Sequence, residues 1–315
     1  MSQSRRYKEI QLAQLRSFCL AASEGNFTAA AQALGLSAST VWQQVRALER
    51  ELGAKLLGRR GRAVELTDDG RLLLETVQPH VSGLDSLRRL FEARREGIRQ
   101  ELVVASGAYL LANHLPRPIQ QFRAERPSIQ LTLRIAAWSA LQRVVERGAT
   151  DVGVLACDPD VPRSPYLEYE HLFDEQFSLL LPTGHPLLQV KRITPRELVR
   201  YPLILPPKGG ADRRACDRLL RKHNLTERVQ TALVCGLVDV AKKYVALGIG
   251  IALMYLTPEV AIGTPGLHVR PLGLEVERLP IEMAIRKGTP LPEYVEEFRR
   301  IVRRFFSEES HSTKG

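Results

Sequence analysis

Leu12, Leu15, Phe18 and Ala22 recur at intervals of three, three and four residues, which places them on one face of a helix. Gly25-Asn26 stops it. Phe27, Ala30, Ala31 and Leu34 line the core face of a second helix ending at Gly35, where a left-handed cap suits glycine. Ser37 then stands where it would cap a third. Advancing about 100° per residue from Val41, the side chains of Val45, Leu48 and Leu52 fall within about 40° of it and predict a buried stripe. Ser39, Gln43, Arg46 and Arg50 gather on the opposite side, and Trp42 sits on the flank. Two short β-capable runs, 55–57 and 63–66, surround Gly58-Arg59-Arg60-Gly61-Arg62 and predict a hairpin with a basic tip. Thr67 caps a long helix reaching residue 97. Asp68 and Asp69 in its first turn complement the helix dipole, and Pro79 is absorbed as a bend. Its apolar seam, Leu73, Val77, Val81, Leu84, Leu87 and Phe91, is narrow for so long a helix, which predicts pairing with another chain.

From residue 101 the texture changes to alternating strands and helices. Strands are expected at 102–105, 130–135 and 151–155, with helices over 111–123 and 141–147 between them. This βαβαβ order implies a parallel sheet covered on both faces. A second set follows, with strands at 177–181, 203–205 and 249–254 and helices near 213–223 and 237–247. An amphipathic helix over 292–306 closes the chain, and 307–315 reads as a polar tail.

At 315 residues two or three domains are expected. The net charge of +10 makes a polyanionic partner plausible. Between Ser37 and Arg62 there are six basic residues against two acidic ones, so the basic excess is densest around the third helix and the hairpin. Cys19, Cys157, Cys216 and Cys235 lack metal-site spacing and read as reduced structural thiols. The charged N-terminus, SQSRRYKEIQ, has no signal-peptide pattern, and no apolar run approaches the roughly 18 residues of a membrane span. A cytoplasmic protein is expected.

Enzyme chemistry finds little support. Gly248-Ile249-Gly250 follows a helix and enters a strand, the reverse of a dinucleotide turn. The seven histidines form no HExxH. Neither Ser106-Gly107 nor Cys157 sits in a nucleophile elbow. No catalytic residue, metal site or cofactor is expected.

Taken together, residues 15–70 resemble the DNA-binding domain of the LysR-type transcriptional regulators. The likeness is carried by Phe18, the run Ala22-Ser23-Glu24-Gly25-Asn26-Phe27-Thr28-Ala29-Ala30-Ala31, Leu36-Ser37, the run from Gln44 to Gly53, Leu56-Leu57 and Arg59 to Gly70. It continues through Leu115-Pro116, Phe122-Arg123, Gly148 with Asp151, Gly184-His185-Pro186-Leu187 and Ala246-Leu247-Gly248-Ile249-Gly250-Ile251, which fall where the family's effector-binding domain has such residues. The stretch 239–248 also resembles the family's sulfur-assimilation regulators. One departure stands out: Ser37-Ala38-Ser39-Thr40-Val41-Trp42-Gln43-Gln44 replaces a common Ser-Gln-Pro-Ala-Val-Ser-Arg-Gln, so the target sequence is not inherited from relatives.

The resemblance implies an α/β fold class with an N-terminal winged helix-turn-helix (1–66), a dimerising linker helix (67–97) and a C-terminal two-lobed α/β effector-binding domain (98–308) resembling periplasmic binding proteins. Lobe 1 would span 98–175 and 275–308, lobe 2 would span 176–274, and 309–315 would be the tail. Implied partners are double-stranded promoter DNA bearing an imperfect palindrome, a small-molecule effector and further copies of the chain as dimer or tetramer. RNA polymerase is a candidate partner. A solute-binding or metabolite-binding module without promoter regulation is the alternative reading.

Within that frame the exposed face of the third helix suits DNA. Gln43 can pair bidentately with adenine, a contact worth ~1–3 kcal/mol of discrimination, and Arg46 and Arg50 suit phosphates or mixed contacts. Thr28, Ser37, Ser39 and Thr40 suit phosphate clamping or groove contact. Arg59, Arg60 and Arg62 are placed to reach an adjacent minor groove. Trp42 is read as boundary packing or as an apolar contact with a thymine methyl. An effector is expected where strands end and helices begin. That selects Ser106, Gly107, Tyr109 and Ser139 (as a helix cap) in one lobe. In the other it selects Lys208, Gly209, Gly210, Arg213, Cys235 and Gly236. Helix N–H groups near Lys208 or Arg213 favour an anionic ligand.

Overall fold

Chain contacts in the computed structural model divide the protein into two units, Met1–Ile98 with Arg286–Pro290 and Arg99–Ile285 with Leu291–Gly315. The structure describes residues 10–60, 63–95, 100–257, 264–273 and 276–312.

In the first unit, helices α1 (Leu12–Glu24), α2 (Phe27–Leu34) and α3 (Ala38–Leu52) precede a hairpin of strands β1 (Leu57–Arg60) and β2 (Ala63–Leu66) and the long helix α4 (Asp68–Arg95). Phe18, Ala30, Val41, Val45 and Leu48 are buried as their spacing predicts. Asn26 caps α2 by accepting the Thr28 N–H at 2.7 Å, and Ser37 caps α3 by accepting the Thr40 N–H at 3.1 Å. Between them Gly35 adopts φ +65° and its N–H reaches back to Ala31 and Gln32 carbonyls, closing the turn. The α3 stripe is shorter than predicted. Leu52 is 39% exposed, whereas Glu49 is only 7% exposed.

That glutamate also shifts the hairpin. Leu56 and Leu57 are packed into the core, and the Glu49 carboxylate takes both of their N–H groups, at 2.9 and 3.2 Å. Strand pairing therefore starts at Leu57 instead of Lys55. Arg59 and Arg60 then lie within the strand, opposite Val64 and Ala63, and not on a tip. The Val64 N–H donates to the Gly25 carbonyl at 2.8 Å, tying the hairpin to the α1–α2 corner. Thr67 accepts the Gly70 N–H at 3.0 Å and donates to the Lys55 carbonyl at 2.6 Å, so one hydroxyl caps α4 and anchors it to the hairpin base.

Along α4, Leu73 and Val77 are half-buried, while Leu84 and Phe91 are 46% and 62% exposed. Val81 departs from the expected seam: at 4% exposure it is covered within its own chain, in a unit that also gathers 286–290. Residue 97 and the side chain of Leu87 lie outside the described residues.

The second unit holds two five-stranded sheets. The first comprises β3 (Glu101–Ser106), β4 (Gln130–Ile135), β5 (Val152–Ala156), β6 (Leu167–Glu175) and β12 (Leu279–Arg286), in the order β4-β3-β5-β12-β6. The second comprises β7 (Phe177–Pro182), β8 (Leu203–Leu205), β9 (Thr231–Val234), β10 (Ile251–Tyr255) and β11 (Leu267–Pro271), in the order β11-β7-β10-β8-β9. Helices α5 (Ala108–Asn113), α6 (Pro116–Glu125), α7 (Trp138–Glu146), α8 (Pro195–Leu198), α9 (Ala211–Lys222), α10 (Val238–Ala246) and α11 (Glu293–Ser312) cover them. Alternate residues of a central strand feed two cores. Leu102 and Val104 join Phe122 and Phe298 on one face of the first sheet, and Ala105 joins Leu141 and Val145 on the other. In the second sheet Leu203 and Leu205 pack with α9, and Ile204 packs with α10.

Several boundaries differ from the sequence reading. The expected helix 111–123 is two helices, because Pro116 lacks the N–H to continue a helix and instead starts a new one. Helix α7 begins at Trp138 with Ala137 at its cap, so Ser139 is an exposed residue inside the helix and not its cap. The closing helix runs to Ser312, taking in most of the expected tail. The sheets are mixed and not parallel throughout: β12 is antiparallel to β5, and β7 to β10. The cause is the path of the chain. It enters the second sheet at Phe177, opposite Tyr255, and returns to the first at Ile281, opposite Ala156. Both crossings thus lie at the carboxyl ends of the central strands, and a strand starting there must run the other way.

Candidate functional site

The outward face of α3 is built by subtraction. Val41, Val45 and Leu48 point to the core, which leaves Ser39, Gln43 and Arg50 exposed. At the helix start the Ser37 hydroxyl lies 2.8 Å from the hydroxyls of both Ser39 and Thr40. Thr28 is exposed in the first turn of α2. Arg46 behaves differently from Arg50. Its Nη1 donates to Glu49 Oε2 at 2.7 Å, and its guanidinium carbon stands 5.3 Å from the centroid of the Trp42 ring. Beside this stack an open groove of about 580 Å³ is lined by Trp42, Gln43, Arg46, Arg50 and Lys55. Its glutamate, Glu49, is charge-matched by Arg46, so Arg50 and Lys55 leave the groove cationic. Lys55 and Glu49 were not singled out in the sequence. Lys55 read as strand, and nothing in the local pattern says that a helix-face carboxylate will be turned inward. Arg62 lies outside the described residues, as do the side chains of Arg59 and Arg60.

In the second unit three residue pairs bring the carboxyl ends of the two sheets together. Tyr109, in α5 after β3, accepts the Thr257 N–H at 3.2 Å just beyond β10. Arg214 of α9 donates through Nε and Nη2 to Asp158 Oδ2 at 2.9 and 2.5 Å, just beyond β5. Arg218 pairs with Asp160 alongside. Behind Tyr109 the Glu175 carboxylate, 2% exposed, lies 2.7 Å from His114 Nε2. Burial pushes the Glu175 carboxyl up, an effect that His114 and Tyr109 partly offset. Burial and the adjoining Glu175 charge likewise raise the Tyr109 phenol well above its ordinary range, so it stays a neutral hydrogen-bonding group.

The expected effector residues distribute unevenly around this junction. Gly107 caps α5 beneath the Trp138 ring, and Lys208, Gly209 and Gly210 form the loop before α9, Lys208 being exposed. Gly236 lies against Pro207. Ser106, by contrast, is fully buried and donates to the Val154 carbonyl at 2.5 Å. Arg213 is held by Asp217 at 2.9 Å and the Pro206 carbonyl at 3.1 Å, and Cys235 Sγ faces the Leu237 carbonyl. Arg214, next to Arg213, is the cation that meets the other lobe; nothing in the sequence ranks one of two adjacent arginines over the other. All four cysteines are free thiols. Burial, aided by Glu282 beside Cys157 and by Asp212 beside Cys216, raises both thiols far from thiolate chemistry. Among the described residues no cluster of three His, Cys, Asp or Glu residues could hold a metal, and no helix is long and apolar enough to cross a membrane.

Comparison with known proteins meets this geometry at both ends of the chain. Residues 12–71 match the model described as bacterial regulatory helix-turn-helix protein, lysR family, and residues 95–307 match the LysR substrate binding domain. The chain is 32% identical to the HTH-type transcriptional regulator cbl of Escherichia coli over 235 residues, 73% of this chain and 72% of that protein. It is 28% identical to the HTH-type transcriptional regulator SsuR of Burkholderia cenocepacia, over 85% and 86% of the two chains. Among solved structures, CbnR complexed with its target DNA aligns over 94% of this chain and 99% of that one, with 26% identity and a TM-score of 0.51. Full-length BenM shares the fold at 23% identity, with a TM-score of 0.56 over 95% and 98%. With both halves matched in order, this chain belongs to the LysR family: it is a DNA-binding transcriptional regulator with a helix-turn-helix domain and a C-terminal effector-binding domain.

Proposed function

We propose that α3 lies in the major groove of promoter DNA, reading bases through Gln43 and gripping phosphate through Arg50, while the hydroxyls of Ser37, Ser39, Thr40 and Thr28 meet the flanking backbone. The observation that carries this reading is the split of α3 into a core face of Val41, Val45 and Leu48 and an exposed face of Ser39, Gln43 and Arg50. The hairpin, with Arg59, Arg60 and Arg62, reaches the neighbouring minor groove. The protein acts in the cytoplasm and is no enzyme. Two α4 helices pair through Leu84 and Phe91, and two such dimers sit on an imperfect palindrome. The alternative of a metabolite-binding module without promoter regulation draws support from none of the relatives, which are transcriptional regulators.

The effector binds where the carboxyl ends of the two sheets meet. Arg214, 30% exposed and paired with Asp158 across the lobes, favours an anionic group that competes with Asp158. Binding that changes this cross-lobe pairing alters the angle between lobes, and so favours one DNA-bound assembly over another. The test is binding to the promoter region of the protein's own gene across a salt series, with and without a metabolite panel. Affinity should fall steeply with salt as counterions are released. Gln43→Ala should relax base preference at one position, and Arg50→Ala should weaken every sequence alike. Binding that is indifferent to both substitutions overturns the assignment of the face.

A further inference from the structure

Arg46 is set apart from the other basic residues of the reading face by what holds it. Glu49 is buried, and a buried carboxylate remains charged only where its lone pairs are met. One oxygen accepts the N–H groups of Leu56 and Leu57, and the other accepts Arg46 Nη1. To swing its guanidinium out to a phosphate, Arg46 would have to abandon that second oxygen. Breaking a pair with one member buried costs more than an exposed, screened ion pair returns. The guanidinium therefore stays where Glu49 holds it, 5.3 Å from the centre of the Trp42 ring, within the range of cation–π attraction. This also orders Trp42. A ring 41% exposed on a helix flank has several rotamers open to it; with Arg46 over it, the indole becomes a fixed apolar plate beside Gln43 at the edge of the cationic groove. A plate of that kind has one apolar counterpart among the base edges of the major groove, the C5-methyl group of thymine.

We propose that Trp42 and Arg46 act on DNA as a single plate that reads a thymine methyl, with Glu49 as the residue that positions it. Arg46 then makes no phosphate contact, and Glu49 couples the plate to the hairpin through the Leu56 and Leu57 amides. The proposal rests on the reading that α3 enters the major groove.

The full-length chain is first used to select its preferred duplex from a random library. Each thymine of the selected site is then replaced by uracil, which removes the methyl and keeps every hydrogen-bonding atom. At one thymine the wild-type chain should lose about four-fold in affinity, the ~0.8 kcal/mol of one buried methyl-sized group, and Trp42→Ala should lose nothing there. Glu49→Gln keeps an oxygen for the two amides but releases Arg46; it should fold, bind and lose the uracil discrimination. Against salt, Arg46→Ala should leave the slope of log affinity unchanged, whereas Arg50→Ala should flatten it by about 0.9. No thymine whose methyl matters, or an Arg46→Ala slope as flat as that of Arg50→Ala, overturns the proposal. Gln43→Ala and Arg50→Ala with no effect on any duplex would remove the underlying groove reading, and this proposal with it.

Discussion

Replacing Asp212 by asparagine should make the effector-binding unit more stable, and increasingly so as pH rises. Asp212 is half-buried in the first turn of α9, where its Oδ1 accepts the Tyr255 N–H at 2.7 Å. Burial is the largest cause that lifts its carboxyl from an ordinary 3.8 to about 6; the charges of Glu175 and Asp158 add to it, and the Tyr255 N–H opposes it. The folded chain thus holds this proton more tightly than the unfolded chain. Its contribution to stability is full below about pH 3.8 and is lost as pH rises through about 6. At about 1.4 kcal/mol for each tenfold change in acidity, that displacement corresponds to ~3 kcal/mol. Partial solvent exposure reduces the expected loss to ~2 kcal/mol. Asp212→Asn has no proton to lose, and its side-chain oxygen can still accept the Tyr255 N–H. The two proteins should therefore be nearly equal near pH 4 and differ by ~2 kcal/mol near pH 7. Hydrogen exchange of the β10 amides, read at several pH values, suits a chain of two units better than a single melting curve. A difference that stays flat with pH, or that grows toward acid, would mean that the amide and the helix start hold Asp212 ionised, and would refute the argument.

Other substitutions test the remaining structure. Leu84→Asp on the exposed face of α4 should give monomers by sedimentation, and dimers that persist would remove this residue from the seam. Gly70→Ala should destabilise the junction of hairpin and α4, because the new Cβ would fall 2.0 Å from the Leu56 carbonyl oxygen. Overpacking of this kind costs ~1–3 kcal/mol, against a gain of up to ~1 kcal/mol for the same change in an open helix, so a stabilised variant in thermal unfolding would contradict the close approach. Arg214→Ala would leave Asp158, 7% exposed, with the Asp160 N–H at 2.9 Å as its remaining described partner. The lobes should loosen, with a loss of ~2–3 kcal/mol and a larger radius in solution scattering. Unchanged scattering, together with no coupling to Asp158→Ala in a double-mutant cycle, would show that the pair does not hold the lobes.

Much of this molecule is legible because its signals are local. The spacing of Val41, Val45 and Leu48, the caps Ser37 and Thr67, and the apolar runs 177–181 and 203–205 each depend on residues a few positions apart, and each reappears in the structure. Strand β9 (Thr231–Val234) was missed because three of its four residues are exposed, so it carries no buried alternation. Strand β12 is not predicted either, although the resemblance assigns 275–308 to lobe 1: its pairing is with β5, more than a hundred residues earlier, and no local pattern shows it. The Gly248-Ile249-Gly250 run also finds its explanation in tertiary contact, since Gly250 sits under the Pro202 carbonyl, where a Cβ would approach to 2.6 Å.

The sequence by itself determined the helices and hairpin of the first unit and the exposed face of α3, because helical periodicity and capping are properties of neighbouring residues, and its motifs carried the resemblance to the regulator family. Tertiary structure alone decided which charges remain available. It turned Glu49 inward onto the hairpin amides, committed Arg46 to Glu49 and Trp42, occupied Arg213 within its own lobe and sent Arg214 across to Asp158. A charged side chain's role depends on the nearest opposite charge and on the water left around it, and both are set only when distant segments meet.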